Sequence, residues 1–208
     1  GYCYPSAVVM DAIQGYLRDK YNYDPGSYTG YNYRTPSLKF LARLDWNISS
    51  NHKFNIRYNV VDSKYGSAPS TSRTGLPDLS FSSSSATSMY ALHFEGARYF
   101  QEQNFSSIAA ELNSRFRDGA LSNTLRVSYS HQYEPRSVTG GYFPSVDLVV
   151  NDVNGDGKNH IYTTFGTEIF SYGNLRDVST AIVTDELSYS AGIHSILGGL
   201  QFEYDNTK

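Results

Sequence analysis

Between residues 37 and 60 the chain changes character at almost every step, and this period of two constrains the fold more than any other feature. Leu38, Phe40, Ala42, Leu44 and Trp46 alternate with Lys39, Leu41, Arg43, Asp45 and Asn47. After the polar run Ser49, Ser50, Asn51 and His52, Phe54, Ile56, Tyr58 and Val60 alternate with Lys53, Asn55, Arg57 and Asn59. Successive side chains of a strand point to opposite faces, so each segment has one apolar and one largely charged face. The four-residue turn makes them a hairpin.

The pattern recurs twice. Residues 104–116 place Ile108, Ala110, Leu112 and Phe116 against Ala109, Glu111, Asn113 and Arg115. Asp118 and Gly119 then turn the chain into residues 122–133, where Leu125, Val127 and Tyr129 oppose Thr124, Arg126, Ser128 and Ser130. A third pair is expected over residues 178–190 and 193–204. The prediction is therefore six principal antiparallel strands in a meander, an all-β chain. Residues 6–20 carry Val9, Ala12, Ile13, Tyr16 and Leu17 at helical spacing behind Ser6, which predicts one short amino-terminal helix.

Short turns alternate with long connections over residues 62–103 and 134–177. A membrane barrel generates this asymmetry, with compact turns on its inner side and long loops outside. Residues 87–100 are assigned to loop structure, with a helical turn around Met89, Leu92 and His93, because a full crossing there would put the next long loop on the short-turn side. A soluble sandwich would bury the apolar rows against a second sheet, whereas a barrel would turn them to lipid. Periodicity leaves both open.

Composition narrows the classes. The 208 residues carry 20 acidic and 17 basic side chains, a net charge of -3, so no basic footprint for nucleic acid exists. Only 39% of residues are hydrophobic, and no apolar run approaches the roughly 20 residues of a membrane-spanning helix. Cys3 lacks a partner for an internal disulfide and is given no role. Residues 1–6 contain no export signal, which is expected to have been removed or to belong to a longer parent.

Candidate chemistry is sparse. Asp152, Asn154 and Asp156, followed by Gly157, have the oxygen-ligand spacing that opens a calcium loop, so bound Ca2+ is a candidate. The twelfth position is Thr163 where a complete loop has a bidentate Glu, and the competing reading is an Asx-rich turn with Gly155 and Gly157 at positive φ. The five histidines are widely separated and make no zinc signature, and no catalytic residue is assigned. The chain is not expected to be an enzyme. Lys39, Arg43, Asp45, Arg57, Glu111, Arg115 and Arg126 are expected to share a polar face. Trp46 and other rings near strand ends suit an interfacial girdle. Tyr65, Tyr142, Phe143 and Tyr172, in the long connections, are candidate substrate contacts through flat rings and hydroxyls.

Several of these stretches together resemble the barrel of TonB-dependent outer-membrane receptors, particularly the SusC-like and Oar-like Bacteroidetes branch. They are residues 40–47 (Phe-Leu-Ala-Arg-Leu-Asp-Trp-Asn), 51–54 (Asn-His-Lys-Phe), 111–116 (Glu-Leu-Asn-Ser-Arg-Phe), 121–123, 141–144 (Gly-Tyr-Phe-Pro), 184–189 and Gly198-Gly199. The resemblance spans about residues 5–205 of the chain. It implies an outer-membrane importer of a bulky nutrient such as an oligosaccharide or peptide, energised by TonB-ExbB-ExbD and served by a SusD-like lipoprotein. A barrel of roughly 22 strands is implied, so this chain is expected to be a piece of a longer parent. Residues 1–36 would be an extracellular segment with its helix, and residues 37–208 part of the barrel. The polar-face residues would then line the lumen, and the long loops would be extracellular. The alternative is a soluble or cell-surface β-rich adhesion or binding module.

Overall fold

The computed structural model describes residues 5–69, 91–151, 155, 157, 159–169 and 173–208. In chain order they form helix α1 (Ala7–Tyr21) and strands β1 (Ser37–Asn47), β2 (His52–Ser67), β3 (Tyr99–Phe116), β4 (Leu121–Val138), β5 (Val146–Asn151), β6 (Asn159–Phe165), β7 (Leu175–Ala191) and β8 (His194–Thr207). A six-stranded sheet runs β1-β2-β3-β4-β7-β8, and β5 and β6 form a separate two-stranded sheet. The expected six-strand meander is present. The large sheet is open in this chain, with β1 and β8 at its edges.

The long connection expected over residues 134–177 is shorter, since β4 runs on to Val138 and β7 begins at Leu175, and it is not strand-free. Residues 139–174 contain the β5–β6 hairpin, whose β-branched run Val149-Val150 and Ile161-Tyr162-Thr163-Thr164 carries the strand signal. Its alternation is broken by a register shift between Leu148 and Val149, which hides the period. The helical turn expected around Leu92 and His93 is absent, and Met89 lies outside the described residues. Leu92 and Phe94 are instead extended, donating backbone N–H groups to Tyr162 O (3.0 Å) and Thr164 O (3.1 Å). A 3-10 turn follows at Glu95–Ala97, and Tyr99 already begins β3.

The chain divides into two compact units that interleave along the sequence. One comprises Pro36–Ser63, Glu102–Pro135 and Leu175–Lys208, and contains the strands with their short turns. β1 and β2 pair Arg43 with Arg57 and Trp46 with Phe54, β4 and β7 pair Leu125 with Asp185, and β7 and β8 pair Asp185 with Leu200. Asp118 and Gly119 take positive φ (52° and 92°), as does Gly192 (59°) in the two-residue β7–β8 link.

The other unit comprises Gly1–Thr35, Lys64–Gln101 and Arg136–Asn174. Helix α1 starts where Ser6 Oγ accepts from Val9 N (3.4 Å) and ends at Asn22 in the left-handed region. It lays Met10 and Leu17 into a core with Tyr23, Phe94 and Phe165. Gly96 is required there: a Cβ would stand 2.8 Å from Pro25 O and 2.9 Å from the Tyr23 hydroxyl. The three long segments thus fold into a small core of their own.

Candidate functional site

The faces of the large sheet follow from its register, because directly paired residues project the same way. One face collects every polar-face candidate. Arg43 binds Asp45 through two nitrogens, Nε at 2.9 Å and Nη2 at 2.7 Å. Arg126 donates from Nε to Glu111 Oε2 (2.7 Å) and from Nη1 to Glu186 Oε2 (3.2 Å), joining β3, β4 and β7. Asn55 and Asn113 donate to Glu111 Oε1, and Thr124 donates to Asn113 Oδ1 at 3.0 Å. Arg43, Asn55, Arg57, Glu111, Arg126 and Thr184 line a cleft of about 360 Å³ on this face. Lys39 and Arg115 lie on it by strand alternation.

The opposite face is apolar and exposed. Leu38, Phe40, Leu44 and Trp46 on β1 are followed by Tyr58, Ile108, Val127 and Tyr129 on the inner strands, and then by Val183, Leu187, Ile196, Leu200 and Phe202. Leu200 is 83% exposed. Trp46, Phe116 and Tyr189 stand at the short-turn ends. Tyr129 and Tyr204 bracket Ala181 at the other margin. From Tyr189 to Ala181 the strand rises about 27 Å. Further along, the same face is mixed: Asp62 pairs with Leu38, Glu102 and Asn104 lie on β3, and His131 pairs with Asp177 at 2.9 Å beside exposed Tyr133 and Leu175. The pattern has departures. Asp185 sits on the apolar face, where Asn123 Nδ2 donates to it at 2.6 Å, and Leu41 and Leu197 are exposed on the charged face.

The chain matches no protein-family model, no curated protein and no solved structure.

In the unit built from the three long segments, the substrate-contact candidates are placed differently from one another. Tyr142 is 73% exposed. Phe143 stacks on Tyr23, with ring centroids 4.1 Å apart, and packs against the core. Tyr65 donates its hydroxyl to Gln101 Oε1. Tyr172, like the calcium candidates Asp152, Asn154 and Asp156, lies outside the described residues. Gly155 and Gly157 do take positive φ (78° and 72°), and among the described residues no acidic, His or Cys cluster suits a metal. Sequence reading missed an arginine cage: buried Arg98 lies over Tyr33 (5.0 Å) and Phe100 (4.7 Å) and pairs with Glu95 at 3.4 Å. Its rings are scattered along the chain, so spacing gave no signal. An apolar groove of about 710 Å³ runs between α1 and β5, bordered by Val9, Tyr16, Tyr21, Pro144 and Leu148.

Asp24 of this unit accepts from Arg18 Nη2 at 2.8 Å and from Gly26 N at 2.9 Å, which holds its carboxyl below the usual carboxylate range. A depressed folded pKa contributes stability above the unfolded pKa that disappears as pH falls through the folded value. Both side chains are half exposed, so the pair is worth at most about 1 kcal/mol. Arg18→Gln should raise the Asp24 titration midpoint, followed by carboxyl NMR, and an unmoved midpoint would remove Arg18 as the cause.

Proposed function

We propose that this chain is part of the wall of an outer-membrane β-barrel importer for a bulky nutrient such as an oligosaccharide or peptide. One observation carries the reading: a six-stranded sheet presents an uncovered apolar face, with aromatic rings towards its margins, and a charged opposite face. A soluble sheet must bury such a face in its own core, whereas lipid covers it at no cost. At the roughly 40° tilt of barrel strands, the stretch of about 27 Å along the strand would stand about 20 Å tall, which suits the roughly 25 Å apolar belt of such barrels. Strands of 16 to 18 residues exceed the roughly 9 to 11 that span a bilayer, and the polar outward residues beyond the band fit strand ends standing in water. On this reading the charged face lines a wet lumen and the unit built from the three long segments is extracellular. Energy coupling through TonB-ExbB-ExbD and service by a SusD-like lipoprotein follow from the sequence resemblance alone.

The direct test compares the chain and its full-length parent with and without detergent. The expected result is a folded, monodisperse protein only in detergent or lipid, whose apolar face is reached by lipid-soluble spin or photo-labels at Leu44→Cys and Leu200→Cys. A monodisperse β-rich protein in plain buffer, unlabelled at both positions, would overturn the reading in favour of a surface binding module. For the loops, shortening residues 139–174, between β4 and β7, in the parent should abolish substrate uptake while surface labelling and insertion stay normal.

A further inference from the structure

Charge on the polar face is divided unevenly between its two halves. On β1, β2 and β3, within the strand unit, the cations are Lys39, Arg43, Lys53, Arg57 and Arg115, against Asp45 and Glu111 alone. On β4, β7 and β8 the balance reverses, with Arg126 and Arg176 against Glu134, Glu186, Glu203 and Asp205. The two acids of the first half are already engaged, Asp45 by Arg43 and Glu111 by Arg126. Among the described residues, Lys39, Lys53, Arg57 and Arg115 have no acidic partner for their side chains.

Arg57 stands out within this group. It is paired directly across the strands with Arg43, and like charges in that position repel. Arg43 is quenched by Asp45, whereas Arg57 lines the 360 Å³ cleft and, among the described residues, no side-chain hydrogen bond occupies its fork of donors. Ala109 and Ser128, both small, leave the cleft floor open beside it. Lys53 is four positions away along β2, about 13 Å.

We propose that the β1–β3 half of this face is an anion-binding surface centred on Arg57, which takes a carboxylate in bidentate fashion while Lys53 attracts a second carboxylate about 13 Å away. The class of ligand is a solute carrying several carboxylates along an extended backbone. This deepens the importer reading by giving the polar face a substrate chemistry, and rests on it for the solute's access to that face. The acidic half opposite repels the same solute and so confines it to one side of the face.

The test uses the full chain in detergent, with trigalacturonate and triglutamate as carboxylated probes and maltotriose and triglutamine as neutral counterparts. Arginine side-chain NMR should show saturable shifts at Arg57 with at least one carboxylated probe and none with the neutral ones. Binding by both would show that the carboxylates alone are read, and binding by one that the backbone is read too. Affinity should fall at least about tenfold in Arg57→Gln and decline steeply between 50 and 300 mM salt, as expected for exposed charges while the Debye length shortens from about 14 to about 6 Å. Glu203→Gln, on the other half, should leave affinity unchanged or raise it. Unchanged binding in a folded Arg57→Gln, equal binding of the neutral probes, or no saturable shift would each overturn the assignment. None of these results alters detergent dependence, so failure of the anion site remains distinguishable from failure of the membrane reading.

Discussion

In the lipid-inserted parent carrying Asp185→Asn, so that no cross-strand acid faces the new guanidinium, Leu200→Arg is expected to cost about 2 to 4 kcal/mol, whereas Gln201→Arg in the same background should change stability by no more than about 0.5 kcal/mol. Leu200 lies midway along the apolar stretch of β8, between Ile196 opposite Tyr189 and Tyr204 opposite Ala181. On the membrane reading its side chain meets acyl chains at the centre of the band, where a guanidinium loses its hydration. Gln201 pairs with Thr184 on the charged face and meets water. The soluble reading predicts the reverse. An 83% exposed leucine in water contributes almost nothing to a core, and its replacement by arginine would improve solubility. Folding measured by gel mobility of heated and unheated samples in lipid therefore separates the two: equal tolerance at positions 200 and 201 would count against lipid contact.

Phe94→Ala should remove about 3 to 5 kcal/mol from the unit built on the three long segments, the usual range for truncating a fully buried phenylalanine. Phe94 is 0% exposed and meets Tyr28 edge-on at 5.8 Å and Phe165 at 6.3 Å. Its backbone also donates to Thr164, so the ring holds the 91–98 segment, β6 and the 23–28 loop in one core. Hydrogen exchange should show lost protection at Phe94 and at the β6 amides, while the paired amides of β7 and β8 keep theirs. Protection unchanged at β6 would mean that this core does not hold the segments together. Collapse of both units alike would mean that they do not fold as separate cooperative bodies.

How much could be read in advance depended on where the energy comes from. Local alternation specifies which way a strand's side chains point, so the six long strands, the turn at Asp118-Gly119 and the opposition of Arg43 to Leu44 were legible before any coordinates. So was α1, since Ser6 caps it and the apolar spacing is helical. The β5–β6 hairpin was not, because a register shift at Leu148 and Val149 breaks the period that would have revealed it. The core of Met10, Leu17, Tyr23, Phe94 and Phe165 is assembled from segments up to 155 residues apart, and no local pattern encodes such contacts. Phe143 shows the limit for the site: as a ring in a long loop it invites a binding role, yet its stacking on Tyr23 gives it a packing role. The charged face divides in the same manner. The sequence by itself determined that Lys39, Arg43, Arg57, Glu111 and Arg126 each oppose the apolar row of their own strand, since pleating alternates the sides. Only the tertiary structure decided that Arg126 reaches both Glu111 and Glu186 while Arg57 faces Arg43 without an acid, because those pairings depend on inter-strand register, which is settled by the packing of whole strands.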